Sequence, residues 1–463
     1  MKRCIHVAAL ATLVSAAGWS QEVNVYSTTM AQLWKQETPG FEKYTYSPVT
    51  EYLGIDVTKM GSDALSLHLY GWGMADLSDQ SSPNGKSGGY LTYGYLQYQF
   101  PQANAEVKAG RFTVNQGGSA EHVDGISARA DLRGGFAISA FGGRPVWFTS
   151  ALSPTAQNDY EFQHDFIFGT RLSYRIPKVG EVGMSYLQDG STPAKDLPIP
   201  SPVDYSRKQF GIDFKLAPHA SFDFSGRTLL DVSGHTDVPS ATPIKYSHVA
   251  EHDYNLSVKL VESLSVTAGF IERNFFAYYA GSNLQSLFNQ KTNDKFRSIG
   301  GSVIWGSASA VQVVGDFTQT NRESYGDATR IGADLKWNLS KYKTMTGFGF
   351  HRVNADNAPV VGTKAPAYVL SHGEVRAWAM YQKGPLSASL DGIYFSFDDK
   401  KNPNLFGQSS IYQFVGSVGY QTTANLKISG DLTYGDDALF KKQVMGLLRV
   451  EYRFASGGKG GKK

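Results

Sequence analysis

Gly85, Ser87 and Gly89 complete the pattern G-x-S-x-G, which in serine hydrolases carries the nucleophilic serine. That chemistry needs a strained turn between a strand and a helix, because the turn presents the serine hydroxyl to the substrate. Here the pattern lies among Gly, Ser and Asn residues, and a strand-like segment begins at Tyr90, where the helix should start. The context favours a flexible loop over a catalytic serine.

A second pattern, His248, Glu251 and His252, matches the H-x-x-E-H arrangement of zinc peptidases. On a helix both histidines would share one face and could hold one zinc ion. The flanking segment Tyr254 to Leu260 alternates with period two, which predicts a strand. At roughly 3.3 Å per residue, two histidines four residues apart on a strand stand about 13 Å apart, too far to share a zinc ion. We therefore expect no metal site here.

Two polar and aromatic groups leave their interpretation open. The run Asp398 to Asn402 could bind a surface cation, although it has neither the turn glycine nor the downstream glutamate of a calcium loop. A solvated loop is the simpler interpretation. Phe275, Phe276, Tyr278 and Tyr279 could dock a partner, fold inward as a constriction, or belong to the aromatic girdle at the rim of a membrane barrel.

Composition excludes several functional classes. The only cysteine is Cys4, so the mature chain has no disulfide, thiolate metal site, cysteine nucleophile or covalently attached haem. The precursor carries a net charge of +3, which falls to +1 without Lys2 and Arg3. This leaves no basic field for nucleic acid. We expect no cofactor bound by this chain.

The first twenty residues predict a secretory signal peptide. Lys2 and Arg3 precede an apolar run that ends in small residues, and cleavage is expected after Ser20. The run is too short for a membrane-spanning helix, which needs about 20 apolar residues. The predicted organisation is a signal peptide over residues 1–20, one domain over 21–454, and a Gly/Lys-rich tail over 455–463.

The rest of the chain alternates with period two. Phe210, Ile212 and Phe214 mark one face of a segment whose other face carries Asp213 and Lys215, a pattern typical of half-buried strands. Short connections such as 177–180 take turns with long polar ones such as 143–164. This alternation predicts an all-β, single antiparallel transmembrane β-barrel with short periplasmic turns and long extracellular loops. We count about 22 strands, with a range of 18 to 22 because the stretches near 125–142 and around Gly183 are weak.

The last strand distinguishes a membrane barrel from a soluble β-sandwich or propeller. Between Val444 and Phe454, the apolar residues alternate with Arg449, Glu451 and Arg453. Three charges within five residues cannot face a dry core, so they predict a wet interior. The same alternation predicts that charges of both signs line the lumen, at Arg171, Arg175, Asp213, Lys215, Asp223, Arg227, Asp334, Lys336, Lys427, Asp431, Arg449, Glu451 and Arg453.

The closing strand, with Tyr452 and Phe454, resembles the C-terminal signal that the barrel-insertion machinery of the outer membrane reads, although nine further residues follow it here. The segments Glu106 to Gly117 and Val123 to Leu132 look like porin hairpins. In overall pattern the chain resembles the porin component of porin–cytochrome electron conduits of metal-reducing bacteria. The resemblance implies an outer-membrane barrel that sheathes a multihaem c-type cytochrome, so that haem enters only through this partner.

Two other functions remain to be weighed. A general or substrate-selective diffusion porin would have the same barrel, filled with water and solute instead of a cytochrome. An outer-membrane enzyme would need Ser, His and Asp or Asn together on one wall, and the strand faces predict no such set. A plug domain before the first strand is not expected, because a strand-like segment begins at Val23. A lumen of this width must be filled by inward loops, left open, or occupied by another protein.

Overall fold

The computed structural model describes residues 22–36, 44–78, 87–117, 119–146, 163–192, 205–232, 249–276, 293–322, 326–356, 370–399, 405, 407–436 and 442–456. Nearly all of them lie in one antiparallel sheet that closes on itself, because the first strand pairs with the last. The register of this seam runs from Val23↔Ser456 to Gln36↔Gln443. The predicted all-β closed barrel is confirmed.

Twenty-two strands form the wall, as predicted, and one short extra strand, β2, extends the sheet beside β1. The strands are β1 (Glu22–Gln36), β2 (Tyr44–Tyr46), β3 (Pro48–Thr58), β4 (Leu65–Asp76), β5 (Ser87–Phe100), β6 (Ala105–Gln116), β7 (Ser119–Asp131), β8 (Phe136–Pro145), β9 (Gln163–Ile176), β10 (Gly180–Thr192), β11 (Tyr205–His219), β12 (Phe222–Asp231), β13 (Val249–Val261), β14 (Leu264–Phe276), β15 (Asn293–Gly306), β16 (Val311–Arg322), β17 (Gly326–Leu339), β18 (Thr344–Ala355), β19 (His372–Lys383), β20 (Leu386–Phe397), β21 (Ser410–Thr423), β22 (Leu426–Gly435) and β23 (Gln443–Ser456).

The two faces of the wall differ as the alternation predicts. Bulky apolar side chains such as Ile299, Trp305 and Leu432 are exposed on the outer face, at 52%, 59% and 58%. An exposed apolar band of this kind is stable only when lipid covers it. The residues between them face the lumen. Among the described residues, no helix is both long and apolar enough to cross a bilayer.

The weak stretches of the sequence form regular strands. β7 and β8 pair with each other and β10 pairs with both of its neighbours, so no hairpin is lost there. β1 begins one residue before the expected Val23, and β23 continues two residues beyond Phe454. The expected signal peptide lies outside the described residues.

Candidate functional site: the lumen of the barrel

One hairpin leaves the wall and lies inside the barrel. Its tip, Gly117, joins β6 to β7, and a Cβ atom built there would lie 2.5 Å from Ser185 Oγ and 3.0 Å from Asp213 Oδ2. Ser185 and Asp213 stand on the inner faces of β10 and β11, beyond β8 and β9. β6 pairs with β5 only as far as Arg111, and β7 pairs with β8 only from Val123 onwards. Residues 112–117 and 119–122 therefore fold across the inner wall, with Arg111 and Val123 at their base. We call this segment the inner hairpin.

A small apolar cluster holds the inner hairpin against the wall. Phe112 and Val123 are 1% and 0% exposed. They pack with Val114 of the hairpin and with wall residues that follow it along the sheet, Phe141, Ile167 and Leu187. Burial of a large apolar side chain stabilises by roughly 1.5–3 kcal/mol, so this cluster favours the inward position of the hairpin.

The bend in β6 coincides with a glycine. Gly110 has φ +127°, a conformation that side-chain-bearing residues rarely adopt, and a Cβ atom there would overlap the backbone of β5. Before Gly110 in the chain, the inner face of β6 carries Glu106 and Lys108. After Gly110, the same face carries Phe112 and Val114. This change from polar to apolar within one strand face is the sequence signal for the inner hairpin.

The opposite face of the inner hairpin is charged. Arg111 forms two hydrogen bonds to Asp124, of 2.7 and 2.8 Å, and donates a third to the carbonyl oxygen of Leu91 at 3.0 Å. Its guanidinium also lies 5.3 Å from the centre of the Tyr90 ring. A bidentate pair is geometrically specific, so it fixes β6 to β7 where both leave the wall.

Two of the predicted lumen residues meet beside the hairpin tip. Arg171 of β9 donates to both carboxylate oxygens of Asp213, at 2.5 and 3.0 Å, and to Glu181 at 2.9 Å. Glycine at position 183 makes this possible, because a Cβ atom there would overlap the guanidinium of Arg171. One arginine thus joins three adjacent strands at the height where the inner hairpin ends.

A second charged group surrounds Glu251 of β13. Arg227 donates to one of its oxygens at 2.7 Å, and Arg273 donates to the other at 2.8 Å. The next residue, His252, points to the other face and contacts Thr228 at 3.0 Å. Glu251 and His252 therefore point to opposite faces of β13 and cannot bind one zinc ion. His248 of the same pattern lies outside the described residues.

The other predicted lumen residues also lie on the inner face, in smaller groups. Asp431 and Arg449 approach to 3.8 Å, as do Arg449 and Glu451. Asp334 lies 3.5 Å from the imidazole of His351. Strand parity places the remaining members inward as well: Arg175, Lys215, Asp223, Lys336, Lys427 and Arg453. That these side chains line a conducting path stays a prediction.

An aromatic track on the inner face was not predicted from the sequence. Tyr70 stacks on Tyr26, Tyr52 and Tyr93, with ring centres 5.4–6.4 Å apart. The hydroxyls of Tyr26 and Tyr93 are hydrogen-bonded at 2.8 Å. The alternation does place these tyrosines on the polar face, but only the register of four strands reveals that they touch.

A recess of about 490 Å³ opens on the inner wall over β12 to β16. Small polar residues line most of it, including Ser257, Thr267 and Ser302, and Asp316 stands at one side. A Cβ atom at Gly300 would meet the side chain of Thr318 at 2.9 Å, so glycine keeps the floor open. The recess gives solutes in the lumen access to Asp316.

The remaining sequence candidates do not join these groups. Ser87 of the G-x-S-x-G pattern begins β5, and Gly85 lies outside the described residues. Asp398 binds Arg352 through two hydrogen bonds at the rim, one of them 2.9 Å long. The side chains of Phe275 and Phe276, with Tyr278 and Tyr279, also lie outside the described part of the chain.

No protein-family model matches the chain, and no curated protein matches it. Among solved structures, it is similar to the copper transporter OprC, with a TM-score of 0.56, 11% identity and coverage of 93% of this chain and 80% of that one. It is also similar to the siderophore receptor PirA from Pseudomonas aeruginosa (TM-score 0.54, 13% identity, 93% and 80% covered). PirA from Acinetobacter baumannii gives 0.54, 10%, 93% and 80%. At these identities the likeness establishes the fold.

Closed antiparallel sheets with an apolar outer band and a polar interior span outer membranes, because they leave no backbone group unpaired in lipid. The chain has this architecture and shares its fold with the copper transporter OprC and the siderophore receptor PirA. It is a bacterial outer-membrane β-barrel with charged side chains on its inner face.

Proposed function

We propose that this barrel is a selective channel for small polar solutes, narrowed by the inner hairpin. The observation that carries the proposal is the position of Gly117 against Ser185 and Asp213, because it puts a folded strand pair inside a lined lumen. An open barrel of this strand number would be wide and unselective. The hairpin removes part of the cross-section and brings a solute close to charged side chains.

The charged groups supply the selectivity of this channel. Arg171, Asp213 and Glu181 stand next to the hairpin tip. Rings of charged side chains in a narrow passage favour ions of opposite sign. The aromatic track from Tyr26 to Tyr93 offers apolar ring faces to solutes that carry both polar and apolar surface.

The direct test is conductance across a planar bilayer containing the purified barrel. A single-channel conductance that depends on the salt used, with a reversal potential in a salt gradient, supports the channel. Deletion of residues 113–121 should raise the conductance because it removes the tip of the inner hairpin. A barrel that folds but never conducts, with or without the hairpin, contradicts the proposal.

An electron conduit is the second candidate, and one observation favours it. Barrels of this size are normally filled by a plug, and among the described strands only β6 and β7 have ends that leave the wall for the lumen. A multihaem c-type cytochrome could occupy the remaining space, and it would supply every haem. A haem Soret band and a stoichiometric cytochrome in barrels purified from native membranes would favour the conduit over the solute channel. A colourless preparation that conducts ions would exclude it.

A further inference from the structure

Four consecutive strands of the inner wall bring ionisable residues into one row. The register pairs Asp316 of β16 with Gly332 of β17, Gly332 with His351 of β18, and His351 with Glu374 of β19. All of them point into the lumen. Paired positions on one face are close neighbours in a sheet, so the row places an imidazole between two carboxylates.

Two glycines let the side chains of this row approach one another. A side chain at Gly332 would overlap the imidazole of His351, and a side chain at Gly349 would overlap the carboxylate of Asp334. The histidine thus leans over Gly332 towards Asp316, and Asp334 reaches the same space from one pair further along β17. Neither approach would be possible if these two positions carried even a methyl group.

The distances describe a compact set of donor atoms. His351 Nε2 lies 3.0 Å from Asp316 Oδ2 and 3.5 Å from Asp334 Oδ2. The three donor atoms all lie within 4.8 Å of one another. Ligands at about 2.0–2.2 Å from a metal ion are separated from each other by about 3.0–3.5 Å. The two separations from His351 Nε2 fall in this range.

Charge around the histidine is out of balance. Asp316, Asp334 and Glu374 bring three negative charges, and Arg330 brings one positive charge, 2.5 Å from Asp316 Oδ1 and 3.9 Å from Glu374 Oε1. A second cation, Arg376, also interacts with Glu374 and Asp334, but it is paired with a fourth carboxylate, Asp391. Four carboxylates thus face two arginines. Because Arg330 holds the far oxygen of Asp316, it orients the near one towards His351. Outer contacts of this kind commonly position metal ligands. A divalent cation would neutralise the excess charge.

The two ring nitrogens of His351 have different surroundings. It is 3% exposed, and its Nδ1 atom has no hydrogen-bond partner among the described residues. Nδ1 faces Glu374 Oε1 at 3.7 Å, too far for a hydrogen bond. Buried polar atoms are rarely left unpaired. The buried ring therefore turns Nε2 towards Asp316 and Asp334, and it leaves Nδ1 unpaired on the side of Glu374.

We propose that Asp316, Asp334 and His351 form a binding site for a divalent transition-metal cation on the lumen wall, with Glu374 as an adjacent carboxylate. One imidazole nitrogen with carboxylate oxygens suits ions such as Zn²⁺, Mn²⁺ or Fe²⁺ better than Ca²⁺ or Mg²⁺, which take oxygen ligands only. The recess beside Asp316 gives the ion a route from the lumen. The site is independent of what fills the rest of the barrel.

The test is calorimetric titration of the full-length barrel, stripped with EDTA and kept in detergent, with ZnCl₂. One Zn²⁺ per chain with micromolar or tighter affinity is expected. Co²⁺ should bind competitively and give a visible absorption band that reports a nitrogen and oxygen ligand set. His351→Gln should abolish binding, and Asp334→Asn should weaken it at least tenfold, since it keeps the side-chain volume while removing the charge.

His372→Gln is the matched control, because His372 lies on the same wall but bonds the carbonyl oxygen of Leu370. Asp431→Asn controls for loss of a lumen carboxylate elsewhere. Both should bind Zn²⁺ as the unmodified protein does, and heat-modifiable migration in gels verifies that every variant is folded. The proposal is overturned if the unmodified barrel binds neither ion, if folded His351→Gln binds normally, or if the controls lose binding equally. The conductance of the channel is a separate measurement, so the two proposals fail independently.

Discussion

Two parts of the inner wall bury side chains of opposite character, apolar in one and charged in the other. The packed wall, formed by β6 to β10, encloses apolar side chains such as Phe112 and Val123 under the inner hairpin. The acidic wall, formed by β16 to β19, encloses His351 among carboxylates. Both are built from the same alternating strands with glycines at close approaches. The same type of strand therefore supports apolar packing in the packed wall and a cluster of possible ligand atoms in the acidic wall.

The difference lies in what the glycines admit. Gly110 lets a strand pair turn inward, so the packed wall gains apolar contacts and loses lumen space. Gly332 and Gly349 let side chains converge, so the acidic wall brings donor atoms together while its strands stay in the wall. We therefore expect mutations in the packed wall to change the size of the passage, and mutations in the acidic wall to change what binds there.

The largest expected effect follows Phe112→Ala, which removes the centre of the packed wall. Replacement of a buried phenylalanine by alanine costs about 3–5 kcal/mol, and the inner hairpin should detach from the wall. Single-channel conductance should increase and become noisier. Phe350→Ala is the control, because that ring is 53% exposed on the outer face. If both variants conduct like the unmodified barrel, the hairpin does not limit the passage.

The next effect is expected at the edge of the packed wall. Arg171→Met leaves the carboxylates of Asp213 and Glu181 without their shared partner, at a cost of about 1–3 kcal/mol in unfolding free energy. The reversal potential in a KCl gradient should shift towards cation preference. Arg376→Met removes a more exposed pair with Asp391 and should shift both quantities less. Equal shifts in the two variants would mean that an arginine beside the hairpin tip affects ion selectivity no more than one elsewhere on the wall.

A smaller change, in the acidic wall, should affect ion binding without affecting conductance. Gly332→Ala retains every proposed ligand but occupies the space of the His351 ring. We expect Zn²⁺ affinity to fall at least tenfold, equivalent to about 1.4 kcal/mol, with little change in conductance. Gly373→Ala, where an added Cβ meets nothing within 4 Å, should bind Zn²⁺ normally. Unchanged affinity in Gly332→Ala would contradict the proposed geometry.

The smallest effect is expected at the rim above the acidic wall. The Arg352 guanidinium lowers the pKa of Asp398 below its usual range, through a hydrogen bond and charge attraction. A lowered folded-state pKa means that the pair stabilises the fold at neutral pH, and that this contribution is lost as pH falls below about 3.9. Asp398→Asn should lose it at every pH. The difference between the two unfolding midpoints should vanish in acid, and a constant difference would exclude this titration.

The strands and their faces could be predicted because alternation acts within a few residues. Phe210, Ile212 and Phe214 mark the outer face of β11 without knowledge of any neighbour. In the closing strand, Arg449, Glu451 and Arg453 likewise mark the inner face. In each case local side-chain polarity follows from the solvent on each side of the wall.

The candidate sites could not be predicted in the same way. Asp316, His351 and Glu374 become neighbours only through the register of four strands, and register depends on pairing over the whole sheet. The inner hairpin left a local signal at Gly110, where the polar face becomes apolar. Alternation alone does not say whether such a change marks a bend into the lumen or a broader apolar band.

The seam between β1 and β23 has a consequence for the order of assembly. Val23 and Ser456 come from opposite ends of the chain, so their contact has the longest sequence separation in the sheet, and distant contacts form slowly. Until they meet, each end strand exposes a row of unpaired backbone groups that can template aggregation. The nascent barrel is thus most vulnerable at its two ends, and the step that seals the cylinder also removes this hazard.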